Sequence, residues 1–332
     1  MALEVRKMTL EKLAQIAKVS LGTVSKAFSG SHEVSEKTRQ RIFEIAKEEG
    51  CFEKYNKQKR EKRVIAVICP ELESSYYCSI VSRIEKQLSK NDSIMLLGLG
   101  NFSSKKEAEI INYLISSKSV DGILVVAAHG KISYNNDVPI VAINTRRHLS
   151  EVDCLNVAFK ETIVDAIKYF KDCGHTDIAY IGETLTKGKL KFFMNAMQVN
   201  DLTVNQDWIF TEKERFENAG KSATEKLLQL EKHPTAIFCA YDNIALGVID
   251  TLKKHGKSVP DDFSIIGVDD IPVASHSNVS LTTIKSNNDT ICDMAVELLL
   301  KKLKSRFFSL HQKISLRTEL VIRNSVKNIN NG

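Results

Sequence analysis

Apolar residues recur at Leu10, Leu13, Ala14 and Ala17, the i, i+3, i+4, i+7 spacing that lines one face of a helix, and Thr9 stands where its cap belongs. Lys18-Val19-Ser20 is short enough for a tight turn. Ser20 can then cap a second helix running to about Phe28, with Val24, Ala27 and Phe28 on its inner face. Gly30-Ser31 breaks it. Val34-Ser35 opens a third helix, with Ile42, Ile45 and Ala46 inward and a stop at Gly50. Three short helices, the first two joined by a tight turn, predict a small all-α helix-turn-helix unit over residues 1–50. From Val64 the period changes. Apolar runs at 64–69, 94–99, 122–128, 140–143, 177–182, 236–240 and 263–268 read as buried parallel strands, and amphipathic stretches such as Ala219 to Leu230 and Ile244 to His255 separate most of them. Repeated strand–helix units over about 270 residues predict doubly wound α/β sheets in two lobes rather than one.

Composition narrows the class. The 332 residues are 43% hydrophobic and 27% charged, ordinary for a globular protein with a large core. No run approaches the ~18 apolar residues of a membrane span. Glu4 and Arg6-Lys7 interrupt the N-terminus where a signal peptide would be apolar, so a cytoplasmic protein is expected. The cysteines, Cys51, Cys69, Cys78, Cys154, Cys173, Cys239 and Cys292, are odd in number and form no CxxC, which fits reduced thiols rather than disulfides or a zinc site. Charge is uneven. Residues 1–63 hold 15 Lys or Arg against 9 Asp or Glu, which accounts for the whole formal net charge of +6 and leaves the rest balanced. A basic small unit on a neutral large one suggests that the small one meets a polyanion.

The second helix carries the chemistry for that. Leu21, Gly22, Thr23, Ser25 and Lys26 are small, polar or basic, and the core does not need them. Such a helix can enter the major groove with its N-terminal residues against base edges. Lys26 can reach a guanine edge or a phosphate, and the hydroxyls of Thr9, Ser20, Thr23 and Ser25 suit phosphate oxygens. Ser20 and Thr23 acting only as cap and turn is the alternative.

The run VSLGTVSKAFSG, with VSEKTRQRI close behind, resembles the N-terminal domain of the LacI/GalR family of bacterial transcription regulators. The likeness continues through VDGILVVAA, CGHTDIAYIG, PTAIFCAYDNIALGVIDTLKKHGKSVPDDFSIIGVDDIP and SLTTI, nearly the whole chain. It implies a non-enzymatic regulator, a repressor of carbohydrate-related genes. Leu21, Gly22 and Lys26 would face bases, and a homodimer would read a pseudo-palindromic operator. Residues 51–63 would form a hinge, and residues 64–332 a periplasmic-binding-protein-like effector domain. Lobe one would be about 64–155 plus 288–318, and lobe two about 156–287. In the hinge the family has Tyr, Pro-Asn and Ala-Arg-x-Leu, where this chain has Cys51, Glu53-Lys54 and Lys57 to Arg60. Arg60 replaces the Leu that enters the minor groove. Lys57 and Arg60 would contact DNA, although so basic a run is equally a solvated linker.

The resemblance places a small-molecule effector, sugar-derived, in a cleft lined by Glu71, Tyr76, Tyr77, Asn144, Lys189, Tyr241, Asp242 and Asp269. Asp242 and Asp269 could instead cap backbone at strand ends. Phe159, Phe192 and Tyr241 stand where the family has polar or small residues, which argues against a plain hexose and keeps open control by a protein co-regulator. Catalytic readings are weaker. Gly182 to Lys189 has five residues between its glycines, where a phosphate loop needs four, and Leu190 stands where that loop holds Mg²⁺ through Ser or Thr. Gly98-x-Gly100 has Ser103 in place of the third glycine of a dinucleotide loop. No metal or cofactor constellation stands out.

Overall fold

A computed structural model describes residues 8–29, 31, 33–52, 62–132, 138–145, 151–276, 279–304 and 311–330. The chain divides into two units, Met1–Arg63 and Val64–Gly332.

In the first unit the helices are α1 (Leu10–Ile16), α2 (Leu21–Phe28) and α3 (Glu36–Glu48). Each starts at a hydroxyl. Thr9 Oγ1 accepts from the Lys12 amide (3.3 Å), Ser20 Oγ from Thr23 (3.0 Å) and Ser35 Oγ from Thr38 (3.3 Å). Lys18, at φ 50°, makes the sharp turn between α1 and α2. Arg41 closes the other end of α1 by donating to the Ala17 carbonyl at 2.7 Å. Leu13, Val24, Ala27, Phe28, Ile42 and Ala46 form the core. The Phe43 ring lies 5.0 Å from that of Phe28 and 5.1 Å from that of Phe52.

The second unit contains two six-stranded sheets. In lobe one, β1 (Arg63–Cys69), β2 (Ser93–Leu99), β3 (Gly122–Val126), β4 (Ile140–Ile143), β5 (Asp153–Ala158) and β11 (Lys313–Arg317) lie in the order β11-β5-β4-β3-β1-β2. Alternate residues serve opposite faces. Ile65, Val67, Leu124, Val126, Val141 and Ile143 pack with α4 (Ser75–Lys90) and α11 (Asn288–Lys304). Ala66, Ile68, Ile123, Val125 and Ala142 pack with α5 (Ser104–Ser116). Strands buried on both faces explain why their sequence reads as continuous apolar runs. The run at 94–99 was expected to be buried in the same way. Instead β2 is the sheet edge, and Ile94, Leu96, Leu97 and Leu99 are 36–51% exposed.

Lobe two holds β6 (Ile178–Glu183), β7 (Ile209–Glu212), β8 (Ala236–Cys239), β9 (Ser264–Asp269), β10 (Thr282–Lys285) and β12 (Glu319–Val321), in the order β12-β10-β9-β8-β6-β7. Among the described residues, β12 pairs antiparallel with β10, and the other strand pairs of this sheet are parallel. Helices α6 (Lys160–Asp172), α7 (Lys187–Val199), α8 (Phe216–Leu227), α9 (Asp242–Lys254) and α10 (Pro272–His276) complete it. The backbones of α8 and α9 meet through Gly220 and Gly247. A Cβ on Gly247 would collide with the Glu217 carbonyl, and one on Gly220 with that of Ile244.

The chain passes between the lobes three times, at 158–160, 285–288 and 317–319. The passes are bonded to each other. Thr318 Oγ1 donates to the Ala158 carbonyl (3.1 Å) and to Thr162 Oγ1 (2.6 Å), and Asn287 Nδ2 to the Arg317 carbonyl (3.1 Å). The tail beyond β12 belongs to lobe two. Ser325 is fully buried between Ile265 and Thr282, and the His175 ring bridges Thr235 Oγ1 and the Lys327 carbonyl, both at 2.9 Å. No described helix is long and apolar enough to cross a membrane.

Candidate functional site

The outer face of α2 presents Leu21 (45% exposed), Gly22, Ser25 and Lys26, while Val24, Ala27 and Phe28 anchor its inner face. Thr23 is half-buried, its hydroxyl 2.8 Å from that of Ser20, so these two residues cap the helix. The Thr9 hydroxyl accepts from backbone and keeps its own proton for an outside acceptor. Lys26 forms an ion pair with Glu33, a partner that sequence reading missed, and the ammonium holds the Glu33 carboxyl below its usual range. The geometry is that of an exposed apolar and cationic ridge on a rigid support. Lys57 and Arg60 lie outside the described residues.

The space between the lobes of the second unit is lined as follows. On the lobe-one side, Glu71 Oε2 accepts from the amides of Glu73 and Ser74, which fixes the loop ahead of α4. The Tyr76 hydroxyl accepts from Asn144 Nδ2 at 2.8 Å, and Asn144 Oδ1 accepts from the Val157 amide at 2.9 Å. Burial pushes the Tyr76 phenol up, and the Asp269 carboxylate across the cleft adds to this. Tyr77 was expected beside it. One helical step turns it the other way, and it lies in the lobe-one core at 7% exposure.

On the lobe-two side, Lys189 Nζ donates to the Ala240 carbonyl (2.8 Å) and sits 3.6 Å from Asp269 Oδ1. It also lies over the rings of Phe159 (5.1 Å) and Tyr241 (5.9 Å). Asp269 is held at φ 108°, at the C-terminal end of β9. Burial raises its carboxyl, and the Lys189 charge opposes that. The Tyr241 hydroxyl donates to Glu183 Oε2 at 2.6 Å and accepts from the Phe216 amide at 3.1 Å. Asp242 faces no opening. It is 0% exposed, Oδ1 accepts from the Thr283 hydroxyl (2.6 Å), and Oδ2 accepts from the Ile271 amide (2.9 Å). It ties strand ends together from behind the cleft, and burial pushes its carboxyl up to about 8. Phe192 packs against the lobe-two core. Sequence reading also missed Arg215, Glu183, Phe102 and Phe216, which meet at the cleft. Arg215 lies in Lys213-Glu214-Arg215-Phe216, which reads as a solvated charged loop.

A helix-turn-helix with an exposed second helix, followed by a two-lobed α/β domain with a polar cleft at strand ends, is the architecture of a DNA-binding regulator. Comparisons with known proteins agree. Residues 9–50 match the model of "Bacterial regulatory proteins, lacI family", and residues 167–326 that of "Periplasmic binding protein-like domain". The chain is 28% identical to the HTH-type transcriptional repressor PurR of Vibrio campbellii, over 97% of this chain and 99% of that protein. It is 29% identical to the HTH-type transcriptional repressor CytR of Escherichia coli, over 96% of each. Its fold is similar to that of the transcriptional regulator CelR in complex with cellobiose, at a TM-score of 0.67 and 22% identity, covering 96% of this chain and 100% of that one. The chain thus joins a LacI-family helix-turn-helix domain to a periplasmic-binding-protein-like domain, and the relatives it matches over nearly their whole length are transcriptional repressors, not enzymes.

Proposed function

We propose that this regulator is a cytoplasmic repressor that binds a pseudo-palindromic operator as a homodimer, and that an effector in the interlobe cleft sets its affinity. The observation that carries the DNA half is the face of α2. Leu21, Gly22, Ser25 and Lys26 are presented outward while the opposite side is locked into the core. In a major groove Leu21 would meet thymine methyls and Lys26 a guanine edge or a phosphate. Ser20, Thr23, Thr9 and the helix starts would position the unit on phosphates, and Lys57 and Arg60 would add minor-groove and phosphate contacts. Selection from random DNA with the full-length protein tests this. The expected product is an inverted repeat whose consensus is relaxed by Lys26→Ala and Leu21→Ala. A pattern unmoved by either change removes α2 from base reading.

The effector half is supported by Asp269, Lys189, Tyr241, Tyr76, Asn144 and Glu71, polar groups from both lobes converging on one cleft. Phe159 and Tyr241 add aromatic surface, which suits a sugar-derived or heterocyclic ligand better than a plain hexose. A thermal-shift screen with sugars, sugar phosphates and nucleosides tests it, because a ligand specific to the native state raises Tm by mass action. Control by a protein co-regulator is the second reading. It is favoured by one observation, that the cleft's polar groups already satisfy one another: Lys189 with Asp269, Tyr241 with Glu183, Asn144 with Tyr76.

A further inference from the structure

Arg215 immediately precedes α8, in lobe two, yet its guanidinium reaches across the cleft. Nε donates to Glu183 Oε1 at 3.4 Å, within lobe two. Nη2 donates to Glu71 Oε1 at 3.4 Å, and Nη1 lies 3.8 Å from Glu73 Oε2, both in lobe one. Its faces are covered as well. The guanidinium carbon is 4.3 Å from the centroid of the Phe216 ring, in lobe two, and 5.2 Å from that of Phe102, in lobe one. One planar cation thus touches carboxylates and aromatic rings of both lobes, which is what a bound ligand does when it draws a two-lobed domain shut.

We propose that Arg215 is a built-in ligand of the cleft, and that the subsite it fills is one for a planar, guanidinium-type cation, so that an effector carrying such a group acts by displacing Arg215. The inference rests on reading the interlobe space as the regulatory cleft.

The surroundings are arranged for a cation. Glu183 is 2% exposed, and a buried carboxylate needs donors on both oxygens. Tyr241 serves one and Arg215 the other. Three carboxylates around one guanidinium leave the subsite negative, so it repels phosphates and carboxylates and retains planar cations. The backbone is committed to the arrangement. Phe216 sits at φ 58°, a left-handed conformation unfavourable for an aromatic L-residue, and its amide donates to the Tyr241 hydroxyl at 3.1 Å. The occupant is nevertheless replaceable. Its nearest N–O distances of 3.4–3.8 Å exceed the roughly 2.7–2.9 Å of a well-formed charge-assisted bond, so several long contacts hold it rather than one tight pair.

Hydrogen exchange read by mass spectrometry on the full-length protein tests the proposal without any effector, using methylguanidinium as probe and methylurea, similar in shape but neutral, as control. In Arg215→Ala, exchange should rise several-fold at 70–77 and 100–103 in lobe one and at 183–186 in lobe two, with circular dichroism unchanged. Low-millimolar methylguanidinium should restore protection in that variant and leave the natural protein unaltered, methylurea should restore none, and Arg215→Lys should fall between. Equal exchange in Arg215→Ala and the natural protein, or equal rescue by methylurea, overturns it. Should the Ala variant not fold, Glu71→Gln removes the lobe-one carboxylate charge, and the same local rise must appear there or the proposal fails. A rim that opens and is rescued while no small molecule shifts Tm would sink the effector reading, and with it displacement by an effector, and leave Arg215 standing as the built-in ligand. A rim that stays protected while a sugar binds would do the reverse.

Discussion

Asp242 shows how one residue can be conspicuous in sequence and still play a different part in the fold. It sits between Thr283, the Ile271 amide, Asp269, Asp270 and Cys239, and burial outweighs the two hydrogen bonds that favour its charge. With a carboxyl at about 8 in the native state and about 3.9 unfolded, the native protein keeps a proton that the unfolded chain has lost across that window. The stability this group contributes is therefore complete below about pH 4 and is lost as pH rises to about 8. Asp242→Asn removes the dependence. Its Tm relative to the natural protein should climb between about pH 5 and about pH 8.5, and a constant difference would refute the assignment. Single residues were the least legible scale. Asp269, in the GVDD run, and Lys189 were named as cleft residues only through the family resemblance. Arg215 did not, because only the fold brings Phe102, Glu71 and Glu183 around it. Tyr76 and Tyr77 are adjacent in sequence, and which of them faces the cleft depends on the phase of α4.

At the scale of elements, the three N-terminal helices were legible to within a residue or two, because hydroxyl caps and 3.6-residue spacing agree there. The central strands were legible as apolar runs. The strands missed are β5, β7, β10, β11 and β12; β7, β11 and β12 are at sheet edges, where polar residues such as Thr211, Ser315 and Glu319 are tolerated. The misreading of β2 has the opposite cause: an apolar run carries no sign of whether a sheet or another surface covers it. The α8–α9 contact was invisible as well, since a glycine within a helix looks like a weak position rather than a crossing point. Gly247→Ala forces a methyl into the Glu217 carbonyl. It should cost about 1–3 kcal/mol by urea unfolding and more than Gly188→Ala in α7, whose Cβ would meet nothing within 4 Å. Equal losses would mean that the helices separate freely.

For the whole molecule, the apolar edge of lobe one calls for a partner. Ile94, Leu96, Leu97 and Leu99 leave a strand edge open, which natural proteins cover or charge. A second copy, related by a twofold axis, would cover it and supply the second reading helix of a palindrome. If the proposed homodimer forms through this edge, Leu96→Asp with Leu99→Asp should shift sedimentation from dimer to monomer and weaken operator binding while each α2 remains folded; an undisturbed dimer would place the interface elsewhere. The two-lobed plan was legible at this scale because repeated strand–helix units over that length admit few alternatives. How the lobes share the chain was less so, since the passes at 158–160, 285–288 and 317–319 leave little mark on local pattern. That threading matters while the protein is being made. The helix-turn-helix can assemble once the first fifty or so residues leave the ribosome. Neither sheet can, because β11, β12 and Ser325 all come after residue 312. A premature stop anywhere before them releases a finished DNA reader tethered to two sheets with bare edges, material for proteases and aggregates. Nonsense alleles spread along nearly the entire gene should therefore behave alike, as complete losses of the regulator rather than as a graded series.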